Sequence, residues 1–172
     1  FGYFRNAAEA LKICHQNGMI HRDVKPSNIL NMRVLNRVKL IDFERAKITR
    51  PDMGLVLDVS KGYRGMHGTI PFMSPEQFDA PQECDETSDV YSLALSLYQV
   101  MVHRHPQLPE YEREILSNVP DTTFADKVKN NDAVSISDIE PRVRNKKFAD
   151  GLLKFLVRDK DARVDATPTH FI

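Results

Sequence analysis

Phe4, Ala7, Ala8, Leu11 and Cys14 recur at the spacing of one helix face, which predicts a helix over residues 3–16, and Asn17-Gly18 supplies its stop. The strongest helical pattern opens at Thr87-Ser88-Asp89 and runs to about Val102. Its Val90, Leu93, Ala94, Leu97, Tyr98 and Met101 form a stripe wide enough to predict burial on most sides. Phe148, Leu152, Phe155 and Leu156 mark one more amphipathic helix, and a last helix is expected after Arg163. Strand patterns are sparse. Residues 29–32 and 37–41 read as two short strands closing a small hairpin.

The intervals between these elements are informative too. Residues 44–73 show neither the helical nor the strand period, and intervals that long inside a domain are usually functional or disordered. Ser74-Pro75-Glu76-Gln77 ends the interval as a helix start, with Ser74 as cap, proline at the first helical position and Gln77 reaching back. Pro106 and Pro109 interrupt the chain after the long helix. A polar helix is expected near residues 110–117, and residues 118–144 read as loop-rich. The pattern as a whole predicts a mainly helical fold with very little sheet.

Composition narrows the classes. At 172 residues the chain suits one domain that buries roughly 70% of its unfolded surface. Lys plus Arg and Asp plus Glu both number 24, which removes any bulk attraction for nucleic acid or anionic lipid. Cys14 and Cys84 make neither a disulfide framework nor a zinc site, and both read as small core-side residues. The longest apolar-leaning run, residues 93–102, is too short to span a bilayer, and FGYFRNAAEA lacks the features of a signal peptide. An intracellular, cytoplasmic setting is the expectation.

The chemistry concentrates in IHRDVKPSNIL, residues 20–30, where Asp23 precedes Lys25 by two positions and Asn28 by five. Asp42-Phe43 follows across the hairpin. A carboxylate can take a proton from a hydroxyl nucleophile, and a lysine can neutralise a phosphoryl group in flight. An amide oxygen and a second carboxylate are hard ligands suited to Mg²⁺, which keeps water and phosphate as its remaining ligands. Base, cation and two metal ligands are the parts that phosphoryl transfer requires.

These motifs resemble the catalytic domain of eukaryotic protein kinases. The matching residues are the catalytic loop His21-Arg22-Asp23-Val24-Lys25-Pro26-Ser27-Asn28, the metal motif Asp42-Phe43-Glu44 and Ser74-Pro75-Glu76 at the end of the activation segment. Asp89 and Arg163 match further downstream. The resemblance implies a partial kinase domain over residues 1–172: the larger, C-terminal helical lobe, with catalytic loop 21–28, activation segment 42–76 and no N-terminal β lobe. It implies ATP and Mg²⁺ as cofactors and Ser/Thr hydroxyls of proteins as acceptors. Asp23 would orient and deprotonate the hydroxyl, Lys25 would stabilise the γ-phosphate, and Asn28 and Asp42 would hold Mg²⁺. Leu30 would lie under adenine. His21 and Phe43 would stack, Asp89 would fix the catalytic-loop backbone, and Arg163 would pair with Glu76. Gly68-Thr69 together with Lys25 resembles the serine/threonine class, with Thr69 facing the substrate.

The chain also departs from the family. Glu44 stands where glycine is usual, which is expected to stiffen the hinge after Asp42-Phe43 and lower turnover. No glycine-rich loop, strand lysine or partner glutamate is found, so weak ATP binding is expected of these residues alone. Residues 61–68, KGYRGMHG, contain no serine or threonine, and Ser60 and Tyr63 are the nearest acceptors for a phosphate that Arg22 would bind. Lys61, Arg64 and His67 read as a solvated basic face. The rival classes are a non-catalytic pseudokinase or interaction module and a small-molecule phosphotransferase. The intact set of Asp23, Lys25, Asn28 and Asp42 weighs against the first, and Thr69 with Ser74-Pro75-Glu76 against the second.

Overall fold

Three helices make the core, each by the face its sequence assigns. In α1 (Gly2–Gln16) the residues Phe4, Ala7, Ala8 and Leu11 are buried, and the helix ends at Gly18, whose φ of 69° is a left-handed stop. The long helix α3 (Glu86–Val102) starts at an Asp85 cap that accepts from Thr87 N at 2.9 Å. It is buried on nearly every side. Ser92 and Ser96 survive there because each hydroxyl donates to the carbonyl four residues back, at 3.1 and 2.8 Å. The predicted stripe holds except at Met101, which is 39% exposed near the end of the helix. Leu11 and Leu93, both fully buried, each contribute about 1.5–3 kcal/mol by leaving water. Ala149, Leu152, Phe155 and Leu156, on or just beyond the last described helix, Lys146–Phe155 (numbered α4 below, after the short α2), complete the core.

This computed structural model describes residues 2–35, 37–50, 52, 54–58, 68–105, 108–112 and 146–163. The loop residues 59–67, the expected helix after Arg163, residues 113–117 of the expected polar helix and residues 118–144 lie outside them.

Among the described residues there are three small antiparallel sheets rather than the one hairpin expected. Strands β2 (Ile29–Met32) and β3 (Arg37–Leu40) form the predicted hairpin, with Ile29 opposite Leu40 and Ile41 N donating to the Asn28 carbonyl at 3.0 Å. A second sheet joins β1 (Met19–Ile20), β4 (Lys47–Arg50) and β5 (Leu55–Asp58) in the order β1-β4-β5. It occupies part of the interval that showed no period. Leu55, Val56 and Leu57 are all exposed, so no alternation between core and solvent was there to be read. The usable signals were β-branched Ile48, Thr49 and Val56 on either side of a Pro- and Gly-containing turn, where Gly54 has φ +61°.

The third sheet pairs β6 (Arg104–His105) with β7 (Leu108–Glu112). Part of the expected polar helix is therefore strand. Pro109 is tolerated there because a two-stranded sheet has only edges. The short helix α2 (Pro75–Asp79) begins where predicted, with Gln77 Oε1 accepting from Ser74 N at 3.0 Å.

Candidate active site

The loop after β1 is held from beneath by one buried carboxylate. Asp89, in the first turn of α3, accepts from His21 N, Arg22 N and His15 Nε2, each at 2.8 Å. These bonds hold Arg22 at φ 64°, a left-handed conformation that costs a non-glycine residue strain and persists only where its surroundings fix it. The His21 ring accepts from Asp23 N at Nδ1, 3.3 Å, and lies 3.0 Å from the Ile41 carbonyl at Nε2, which assigns the ring proton to Nε2. Phe43 packs on the same ring with centroids 4.6 Å apart.

Asp23 is the centre of what this scaffold presents. Its carboxylate accepts from Lys25 Nζ at 2.9 Å and from the Thr69 hydroxyl at 2.7 Å. Lys25 also donates to Thr69 Oγ1 at 2.6 Å, closing a three-membered ring of contacts. Asn28 Nδ2 donates to the Asp23 carbonyl at 2.9 Å and to its Oδ2 at 3.3 Å. Burial pushes the Asp23 carboxyl upward, but the bonds from Lys25 and Thr69 and the charges of Lys25 and Arg45 outweigh it and leave the group below the usual carboxylate range. A carboxylate so held stays ionised at neutral pH, ready to accept a proton.

The hairpin β2–β3 brings the backbone just before Asp42 against Asn28. Asp42 lies one residue beyond the Asn28–Ile41 backbone pair, exposed and at φ 64°. Among the described residues nothing bonds to the Asp42 carboxylate or to the Asn28 side-chain oxygen, so both offer hard oxygens. No cluster of three or more His, Cys, Asp or Glu that could hold a metal ion is found among the described residues. Leu30, on β2, leaves its side chain 45% exposed. Glu44 is exposed and is not among the residues with positive φ, whereas Asp42 is.

The segment that carries Thr69 is anchored at several points. Gly68 has φ +136°, and a Cβ there would meet Gln77 Nε2 at 2.9 Å and the Arg22 carbonyl at 3.0 Å, so only glycine fits without a shift. Arg45 Nη1 donates to the Gly68 carbonyl at 2.7 Å, and Gln77 Nε2 donates to the Arg22 carbonyl at 2.9 Å. Glu76 forms a forked pair with Arg163, at 2.6 and 2.7 Å, and accepts from Ser88 Oγ at 2.6 Å. Burial raises the Glu76 carboxyl, but Arg163 and Ser88 together bring it below its ordinary value. The Arg163 guanidinium also lies 4.8 Å from the Tyr91 ring centre. Behind this pair the buried Cys84 thiol is pushed up to about 11 by desolvation and by Glu76, which keeps it an unreactive core residue.

Four contributors escaped the sequence. His15 has no motif of its own, and Arg45 follows the metal motif with no spacing to single it out. Gln77 was legible as a helix-start residue but not as a partner of Arg22. Asp58 pairs with Arg22 at 2.9 and 3.0 Å, and only the register of β4 and β5 could have placed it.

A clamped loop presenting a carboxylate, an amine and an amide, with a second carboxylate just beyond a hairpin, combines the residue types that phosphoryl transfer uses. The chain belongs to the protein kinase domain family, which it matches over residues 2–169. It is 40% identical over 101 residues to the serine/threonine-protein kinase PknB of Mycobacterium tuberculosis, covering 59% of this chain and 15% of that protein. It is 28% identical over 163 residues to an Aurora kinase of Dictyostelium discoideum, covering 94% of this chain and 36% of the relative. With mitogen-activated protein kinase kinase 7 of Arabidopsis thaliana it shares 34% identity over 117 residues, 65% of this chain and 35% of that protein. The chain thus spans well under half the length of each of these relatives.

Proposed function

We propose that residues 1–172 carry the larger, helical lobe of a serine/threonine protein kinase, with catalytic loop 21–28 and activation segment 42–76. The reaction moves the γ-phosphoryl group of ATP to serine or threonine hydroxyls of protein substrates. Asp23 orients the hydroxyl and takes its proton, and Lys25 neutralises charge on the phosphoryl group. The Asn28 side-chain oxygen and the Asp42 carboxylate would hold Mg²⁺, and Leu30 would give adenine an apolar surface. When bound, Mg²⁺ supplies charge neutralisation along the phosphates. The observation that supports this reading is the 2.7 Å bond from the Thr69 hydroxyl to Asp23, the kind of contact a substrate hydroxyl would make with its base. The kinase names of the relatives support it, as does the presence in this chain of Lys25 together with Gly68-Thr69, which resembles the serine/threonine class.

The test is Asp23→Asn in the full-length protein, which is expected to lower phosphorylation of a test protein by about 10²–10⁴-fold with unchanged thermal unfolding. An unchanged rate would move the assignment to a non-catalytic interaction module, the reading that Glu44 in place of glycine favours.

A further inference from the structure

The Arg22 side chain is 2% exposed, and a buried guanidinium requires a counter-ion. The fold supplies one from a distant part of the chain. In the sheet β1-β4-β5, Ile20 lies opposite Lys47 and Lys47 opposite Asp58, so the hairpin returns Asp58 to the level at which the catalytic loop begins. Arg22, two residues beyond Ile20, sends Nη1 to both carboxylate oxygens of Asp58, at 2.9 and 3.0 Å.

The backbone of the same residue is tied to two helices. Its N donates to Asp89 of α3, and its carbonyl accepts from Gln77 of α2 and packs against Gly68. Arg22 therefore joins the catalytic loop, both helices, the Gly68-Thr69 strap and β5. Asp23 is the next residue in the chain, and Thr69 is bonded to it.

We propose that Asp58 is a built-in anion that seats Arg22, so that the catalytic loop and the segment bearing Thr69 assemble without phosphorylation. This rests on the kinase reading above. In kinases ordered by phosphorylation, a phosphate in the activation segment pairs with arginine. Here a carboxylate delivered by the β4–β5 hairpin takes that position, with two acceptor oxygens on one guanidinium nitrogen. It fits a neighbouring stretch, residues 61–68, that holds no serine or threonine. Asp58 is a positioning residue: it acts on Asp23 through Arg22.

The experiment uses the full-length protein and a generic acceptor protein. Phosphatase treatment of the unmodified protein is expected to leave kcat unchanged. Asp58→Asn is expected to lower kcat by about 10²-fold, the scale of a misplaced catalytic group, with a smaller change in KM for ATP. Asp58→Glu should retain most of the rate. Asp58→Ser should be as slow as Asp58→Asn, and phosphoserine introduced at the same position should restore the rate and make it sensitive to phosphatase, a response that a merely structural contact would not give. Loss of the unmodified protein's activity on phosphatase treatment, or full kcat in Asp58→Asn while Asp23→Asn is inactive, overturns the inference and leaves the kinase reading standing. Full activity in Asp23→Asn defeats the kinase reading itself, and this inference with it.

Discussion

The Asp23 carboxylate is held low by neighbours that can be removed one at a time. Lys25 is the largest of them, as donor and as charge, working against the upward push of burial. The acid limb of kcat/KM is therefore expected below the ordinary carboxylate range, with the base ionised above it. Lys25→Met should move that limb upward in pH while lowering the plateau, as measured by a pH–rate profile; an unmoved limb would separate Asp23 from the proton transfer. Asp23, Lys25, Asn28 and Asp42 were candidates from sequence because one short loop and the residues just after one hairpin contain all of them. Asp58 and Arg45 could not, because their partners Arg22 and Gly68 lie 36 and 23 residues away. Glu44 is a different case. Its departure from glycine is visible in the sequence, but only the backbone shows that the positive φ sits at Asp42.

Elements reproduce the same contrast between local and distant information. Helices α1 and α3 were legible because their apolar faces repeat over several turns, and β2–β3 because its strands are adjacent in the chain. The β4–β5 hairpin was not, since its second strand exposes three successive apolar residues and buries none. The anchor between α2 and the turn after α4 makes a stability prediction. Glu76 and Arg163 are both buried, and removing one partner strands the other. Glu76→Gln is expected to cost about 3–5 kcal/mol in urea unfolding at neutral pH. Because the folded-state carboxyl lies below its unfolded value, the pair's contribution is present above the ordinary glutamate range and is lost as pH falls through the folded value. The difference between the two proteins should accordingly narrow in acid. A constant difference would contradict the linkage.

Across the molecule, a helical core serves as the platform on which separate turns meet. Residues 23–28, 42–45, 58 and 68–69 reach one region through a clamp on α3, a strand register and a glycine that admits no side chain. No helix of the described residues is long and apolar enough to cross a membrane. The zero net charge offers no bulk attraction for anionic phosphate, so the proposed site would depend on local groups such as Lys25, which is bonded to the Asp23 carboxylate. The most direct measurement of that convergence is paramagnetic broadening by Mn²⁺ in the presence of ATP, read residue by residue in an NMR spectrum. The Asn28 side-chain amide and the backbone amides of Asp42 and Phe43 should broaden first, and Asp42→Ala should abolish the effect. Broadening centred elsewhere, or left intact by that substitution, would contradict the site.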